Sequence, residues 1–130
     1  MAAAVADYRP QTRSGAKIKK DGQPPEPLRL VENPDILAGL AVQRGPGRKR
    51  PVLVGFAAET DTSEQAARAK LARKGCDLLV VNPVGHGLGF GTPDNEAVVL
   101  GADGTVTPIP RGPKEALANV VWDLVVVNLK

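Results

Sequence analysis

Two unbroken apolar runs, "PVLVGFAAE" at 51–59 and "CDLLVVNPV" at 76–84, are joined by the 16 residues "TDTSEQAARAKLARKG". Apolar residues at consecutive rather than alternate positions belong to strands buried on both faces, as in the interior of a parallel sheet. Parallel strands need a crossover of a dozen or more residues, usually a helix. The linking stretch has the ends of one. Thr62 with Gln65 matches a capping box, and Gly75 suits the left-handed residue that closes a helix. Such a crossover is right-handed, and ligands on sheets of this kind bind beyond the carboxyl ends of the strands and at helix N-termini. The segments to inspect are therefore "ADYRP", "NPDI", "GFAAET" and "NPVGHG".

The remaining pattern extends this α/β sheet. "AAAVAD" is predicted to be a short buried strand at the very start, which suggests that the chain is part of a longer one. Residues 8–27 turn polar, with Gly15, Gly22 and four prolines, and read as a long arm or flap. "LRLVEN" alternates like an edge strand. In "NPDILAGLAVQRG", Asn33 is the expected N-cap, Pro34 the first helical residue, and Asp35 a favourable charge at the dipole's positive end. "GRKR" at 47–50 is a charged surface loop. "AVVLGADGTVTPI" predicts a hairpin around Asp103–Gly104. "GPKEALANVVWDLVVVNL" predicts a closing amphipathic helix with Leu117, Val120, Val121, Leu124 and Val125 on its inner face.

At 130 residues the chain fits one compact domain, with 42% hydrophobic and 24% charged residues. Aromatics are only 3%, one Trp, one Tyr and two Phe, so a base-stacking platform is not indicated and nucleic acid is not an expected partner. The formal charge of +3 and pI near 9.2 favour an anion only where the charge clusters. A single cysteine, Cys76, excludes internal disulfides, suits a cytoplasmic protein, and reads as a buried inert thiol. No apolar stretch is long enough to span a bilayer, and "MAAAVADYRP" lacks the basic and apolar regions of a signal peptide.

Charge clusters in two places. "SGAKIKK" places Lys17, Lys19 and Lys20 within four positions of the arm. The helix after residue 62 carries Arg68, Lys70, Arg73 and Lys74, with Lys70 and Lys74 four apart on one face. That face reads either as a solvated surface or as a phosphate-binding one. With the arm lysines beside the same sheet edge, the two readings balance. Lysines on flexible stems act as point charges on phosphate oxygens. The run Gly85 to Gly91, "GHGLGFG", has neither the Lys-Ser/Thr pair of a phosphate loop nor GxGxxG spacing, and reads as a flexible loop. His86 within it has no Cys or second His nearby, so zinc is not indicated. Asp7 and Glu59 each end an apolar strand, where a carboxylate can hold a ribose, a base or magnesium, or cap a turn.

Taken in order and spacing, "AAAVADYRP", "KIKK", "NPDIL", "VGFAAET", "ARAKLARKGCDLLVVN" and "GFGTPDNEAVVL" resemble one family. It is the phosphopantothenoylcysteine synthetase (phosphopantothenate–cysteine ligase) domain of bacterial bifunctional coenzyme A biosynthesis proteins. The resemblance covers essentially all 130 residues and implies a Rossmann-like, mostly parallel α/β sheet with flanking helices, a long flap and a C-terminal hairpin-helix. It implies a CTP-dependent ligase. The carboxylate of 4′-phosphopantothenate attacks the α-phosphate of CTP and releases pyrophosphate. The amine of L-cysteine then displaces CMP. No protein nucleophile is needed, so catalysis is positioning and charge neutralisation, with Mg2+ assisting.

Carried onto this sequence, the family's flap lysine falls on Lys17, which closes over an active site at a homodimer interface. The triphosphate lysines fall on Lys70 and Lys74, and the nucleotide-contacting stretch on Pro34, Asp35, Ile36 and Leu37. Phe56 matches the phenylalanine of the family's "GFAAET". Asp7 matches the aspartate of "ADYR" and is the candidate magnesium ligand, with Met1, Ala2 and Ala3 lining the pocket through their backbone. The family's upstream glycine-rich phosphate loop and its intermediate-holding asparagine have no match in residues 1–130. The chain is thus expected to be the C-terminal part of the domain, begun at an internal methionine. The FMN-dependent decarboxylase domain that usually precedes it is also missing, so no FMN is expected. A non-catalytic nucleotide-binding or regulatory α/β module is the alternative reading.

Overall fold

A computed structural model describes residues 4–20, 22, 26–47, 50–60, 63–85 and 91–129. The chain forms two compact units, Ala4–Asp35 and the residues from Ile36 onward, and each is described by itself.

The larger unit is a four-stranded sheet of β3 (Val54–Glu59), β4 (Leu78–Pro83), β5 (Asp94–Gly101) and β6 (Val106–Pro113), in that spatial order. It carries helices α1 (Ile36–Arg44), α2 (Glu64–Lys74) and α3 (Lys114–Asn128). The two apolar runs pair as expected: β3 and β4 are parallel, from Val54 opposite Leu78 to Glu59 opposite Pro83, with α2 as the crossover. β5 then joins β4 antiparallel, and β6 joins β5 antiparallel through the Asp103–Gly104 turn. The α/β class holds, but the sheet is mixed, with β3–β4 its one parallel pairing among the described strands.

Strand alternation sends side chains to two cores. On one face Leu53, Ala57, Cys76, Leu79, Val81 and Leu100 pack against Leu37 of α1 and Ala67 and Leu71 of α2. On the other, Leu78, Val80, Ala97, Val99 and Ile109 pack against Val121 of α3, with Leu117, Val120, Leu124 and Val125 beside it, the face predicted for that helix. β4 is buried on both sides, which is what its unbroken apolar run requires. β3 is not. Among the described strands it pairs with β4 alone, and Phe56 is 46% exposed despite an equally apolar run.

Gly55 shows how closely the first face is packed. A Cβ there would lie 2.9 Å from Leu37 and 3.0 Å from Leu79. Gly75 closes α2 in the left-handed conformation (φ 62°, ψ 26°), and its N–H donates to the carbonyls of Leu71 and Ala72. Thr62 of the expected capping box lies outside the described residues. α2 starts at Glu64 behind Ser63, whose side chain makes no cap hydrogen bond.

The smaller unit is a two-stranded antiparallel ribbon, β1 (Tyr8–Pro10) with β2 (Leu30–Glu32). The strand expected over "AAAVAD" is not formed in its described part. Residues 4–6 are exposed, outside any strand, and Ala4 has φ 50°. An apolar run becomes a strand only where a neighbour accepts its hydrogen bonds, and pairing begins at Tyr8 instead. Asn33 does not cap α1 either. Its Nδ2 donates to the Ala6 carbonyl at 2.7 Å, its Oδ1 accepts from Arg9 at 2.9 Å, and its backbone N–H donates to the Asp7 carbonyl at 2.7 Å. Asn33 therefore ties the ribbon, and the helix begins three residues later, after Pro34 and Asp35.

Candidate functional site

The carboxyl end of β3 and the facing side of α2 enclose a cleft of about 230 Å3. Its walls are small, Ala57, Ala66, Ala67, Ala69 and Val81, so space is left where larger side chains would close it. Among the described residues three charged side chains line it: Glu59 at the last position of β3, and Lys70 and Arg73 on α2. The Lys70 ammonium donates to Glu59 Oε1, and both side chains are about one-third exposed. The 11-residue separation of Glu59 and Lys70 in the chain disappears because the crossover folds α2 back along β3. Among these described side chains one carboxylate faces two cations, a net positive lining at the place where ligands bind on sheets of this topology.

Lys74 sits one turn beyond Lys70, in the last turn of α2, half-buried. Leu37 is buried, its side chain in the core against Gly55, so any contact it makes to a ligand is through its backbone. Ile36 starts α1 and is 44% exposed. Phe56 alternates to the sheet face opposite α2, so its ring and the Lys70 ammonium flank β3 rather than meet. Asp7, Lys17, Pro34 and Asp35 belong to the smaller unit, where all four are exposed. Met1, Ala2, Ala3, His86 and the interior of the Gly85–Gly91 loop lie outside the described residues.

Two features were not singled out from sequence. Arg73 completes the cleft. Arg44, at the end of α1, pairs with Asp77 at the start of β4 and donates to the Pro51 carbonyl at 3.0 Å. Asp77 Oδ2 also accepts the Leu53 N–H at 2.7 Å. This bolt fixes where β3 and β4 begin, and so where their carboxyl ends finish. An Arg–Asp pair 33 residues apart has no local pattern by which to find it. Cys76, beside it, is buried, and that burial pushes its thiol pKa up, as an inert core cysteine requires. Among the described residues no three His, Cys, Asp or Glu side chains gather as a metal site, and no helix is long and apolar enough to cross a membrane.

Known proteins share both this sequence and this fold. The chain is 44% identical over 135 residues to the coenzyme A biosynthesis bifunctional protein CoaBC of Mycobacterium tuberculosis (strain ATCC 25618 / H37Rv), covering 99% of this chain and 32% of that protein. To the CoaBC protein of Mycolicibacterium smegmatis the identity is 45% over 136 residues, covering 100% and 33%, and to that of Escherichia coli (strain K12) it is 41% over 130 residues, covering 97% and 31%. The chain thus spans about a third of the length of these curated relatives. Its fold superposes on the crystal structure of the C-terminal domain of CoaBC with a TM-score of 0.67 and 30% identity, covering 98% of this chain and 54% of that one. The flavoprotein of DNA/pantothenate metabolism from Streptococcus pneumoniae shares the fold at TM-score 0.67 and 20% identity, covering 98% of this chain and 58% of that one. The family model for the DNA/pantothenate metabolism flavoprotein C-terminal domain matches residues 1–128, and the chain belongs to that family.

Proposed function

We propose that this chain serves the CTP-dependent ligation of 4′-phosphopantothenate to L-cysteine in coenzyme A biosynthesis, and that it supplies part of the CTP site. The observation that carries the reading is the positive cleft at the carboxyl end of β3, with Lys70 and Arg73 on its wall and Lys74 one turn further along the same helix. Its relatives' role in coenzyme A biosynthesis supplies the pathway.

The chemistry asks little of side chains. A carboxylate oxygen of phosphopantothenate forms a bond to the α-phosphorus as the bond to the β-phosphate oxygen breaks, and pyrophosphate leaves. The cysteine amine then attacks the acyl carbon, CMP leaves with the bridging oxygen, and the amine loses a proton. Both nucleophiles come from substrates. What the protein contributes is alignment and neutralisation of a tail that carries several negative charges. In this reading Lys70 and Lys74 hold the β- and γ-phosphates, and Lys17 approaches from the arm of a partner subunit in a homodimer. Pro34, Asp35, Ile36, Leu37 and Phe56 contact the nucleoside, Leu37 through its backbone.

Magnesium would accompany CTP. A nucleotide-borne magnesium asks one or two carboxylates of a protein rather than a dedicated cage. Asp7 offers a single exposed carboxylate for that purpose. The ion would neutralise phosphate charge.

Calorimetry with CTP tests the site. Replacing Lys70 and Lys74 together by alanine should weaken binding about tenfold or more at low salt, with the loss shrinking as salt rises because the contact is ionic. Equal affinity for parent and double variant would overturn the assignment.

A further inference from the structure

The Lys70 ammonium is already engaged. Glu59 is held at the end of β3 by the β3–β4 register and by the Val84 N–H, which donates to its carbonyl at 3.0 Å. From that fixed point its carboxylate reaches across the cleft mouth to Lys70. The surrounding wall is alanine and valine, and among the described residues the other charged lining side chain, Arg73, is also a cation. A phosphate oxygen drawn to Lys70 would enter beside a carboxylate of its own sign, within a cleft that screens charge less than open water. Glu59 and a bound phosphate therefore compete for the same ammonium.

We propose that Glu59 is a displaceable counter-ion: it holds Lys70 in position in the free protein and yields it to a phosphate oxygen of the incoming nucleotide. The proposal rests on the nucleotide reading of this site. The exchange costs affinity and returns selectivity by charge. A triphosphate, with several negative charges, displaces the carboxylate. A monophosphate competes poorly, so the re-forming pair helps expel CMP after the reaction. Glu59 is a positioning residue in this scheme, acting through Lys70.

The test is a double-mutant cycle on the 130-residue chain, with binding measured by calorimetry at low salt and folding checked by thermal melting. Glu59→Gln keeps the shape and removes the charge, and Glu59→Ala is the second variant should the first melt early. Either should tighten CTP and inorganic tripolyphosphate about three- to fivefold, leave cytidine binding unchanged, and have no effect in a Lys70→Ala background. A neutral or weakening effect of both variants on CTP, or a gain that survives in the Lys70→Ala background, overturns the exchange. If Lys70→Ala weakens CTP while the Glu59 variants change nothing, the exchange fails and the nucleotide site stands. If the parent binds no CTP, or Lys70→Ala has no effect, the nucleotide reading fails and the exchange with it.

Discussion

Asp77 does more for the fold than its place in the sequence suggests. Its carboxylate takes Arg44 and the Leu53 N–H, its own N–H donates to the Leu53 carbonyl at 2.9 Å, and its carbonyl accepts from Ala102 at 2.8 Å. One residue thus joins the end of α1, the approach to β3, the start of β4 and the β5–β6 turn. Asp77→Asn would leave Arg44, whose side chain is only 11% exposed, without its counter-charge. We expect a loss of about 2–3 kcal/mol in urea unfolding. The Lys70–Glu59 pair is of another kind: a third exposed, it contributes little to stability.

Helix α2 and the β5–β6 hairpin were legible because their ends are governed by local chemistry. Gly75 had to be left-handed for α2 to stop and β4 to begin, and it is. Gly75→Ala forces a side chain into that conformation and sets its Cβ 3.0 Å from the Ala41 Cβ. Denaturant unfolding should show a loss of about 1–2 kcal/mol. In the hairpin turn, Asp103 accepts from the Thr105 hydroxyl at 2.7 Å and the Thr105 N–H at 3.0 Å, and these bonds hold its carboxyl below the usual range. A depressed folded pKa stabilises above the unfolded value and is lost as pH falls through the folded one. The stability gap between the parent and Asp103→Ala should therefore close on acidification, as melting temperatures across acid pH would show. Asn33 failed as a cap because its partners, Ala6 and Arg9, lie 27 and 24 residues away, where a local capping rule does not look.

Across the whole chain, burial is uneven. Among the described residues every buried side chain lies in the larger unit, whereas the ribbon of β1 and β2 leaves Tyr8 56% and Leu30 54% exposed. Two short strands alone are marginal in water. Hydrogen exchange should find β4 amides the slowest and ribbon amides near the unprotected rate. Protection of the ribbon would instead show that another surface covers it, as the expected homodimer would provide.

The family, the α/β class, the βαβ crossover, the hairpin and the inner face of α3 followed from the sequence by itself, because apolar spacing, caps and turns act between residues close in the chain. The candidate site was legible in part: helical spacing singled out Lys70 and Lys74, and the end of an apolar run marked Glu59 as either a ligand-facing carboxylate or a turn cap. Three things waited for the tertiary structure. Among the described strands β3 pairs with β4 alone although its apolar run matches that of β4, because strand order depends on which neighbour supplies hydrogen bonds. β5 pairs antiparallel, which no apolar run encodes. Lys70 faces Glu59, because only packing α2 against β3 turns their separation along the chain into a contact.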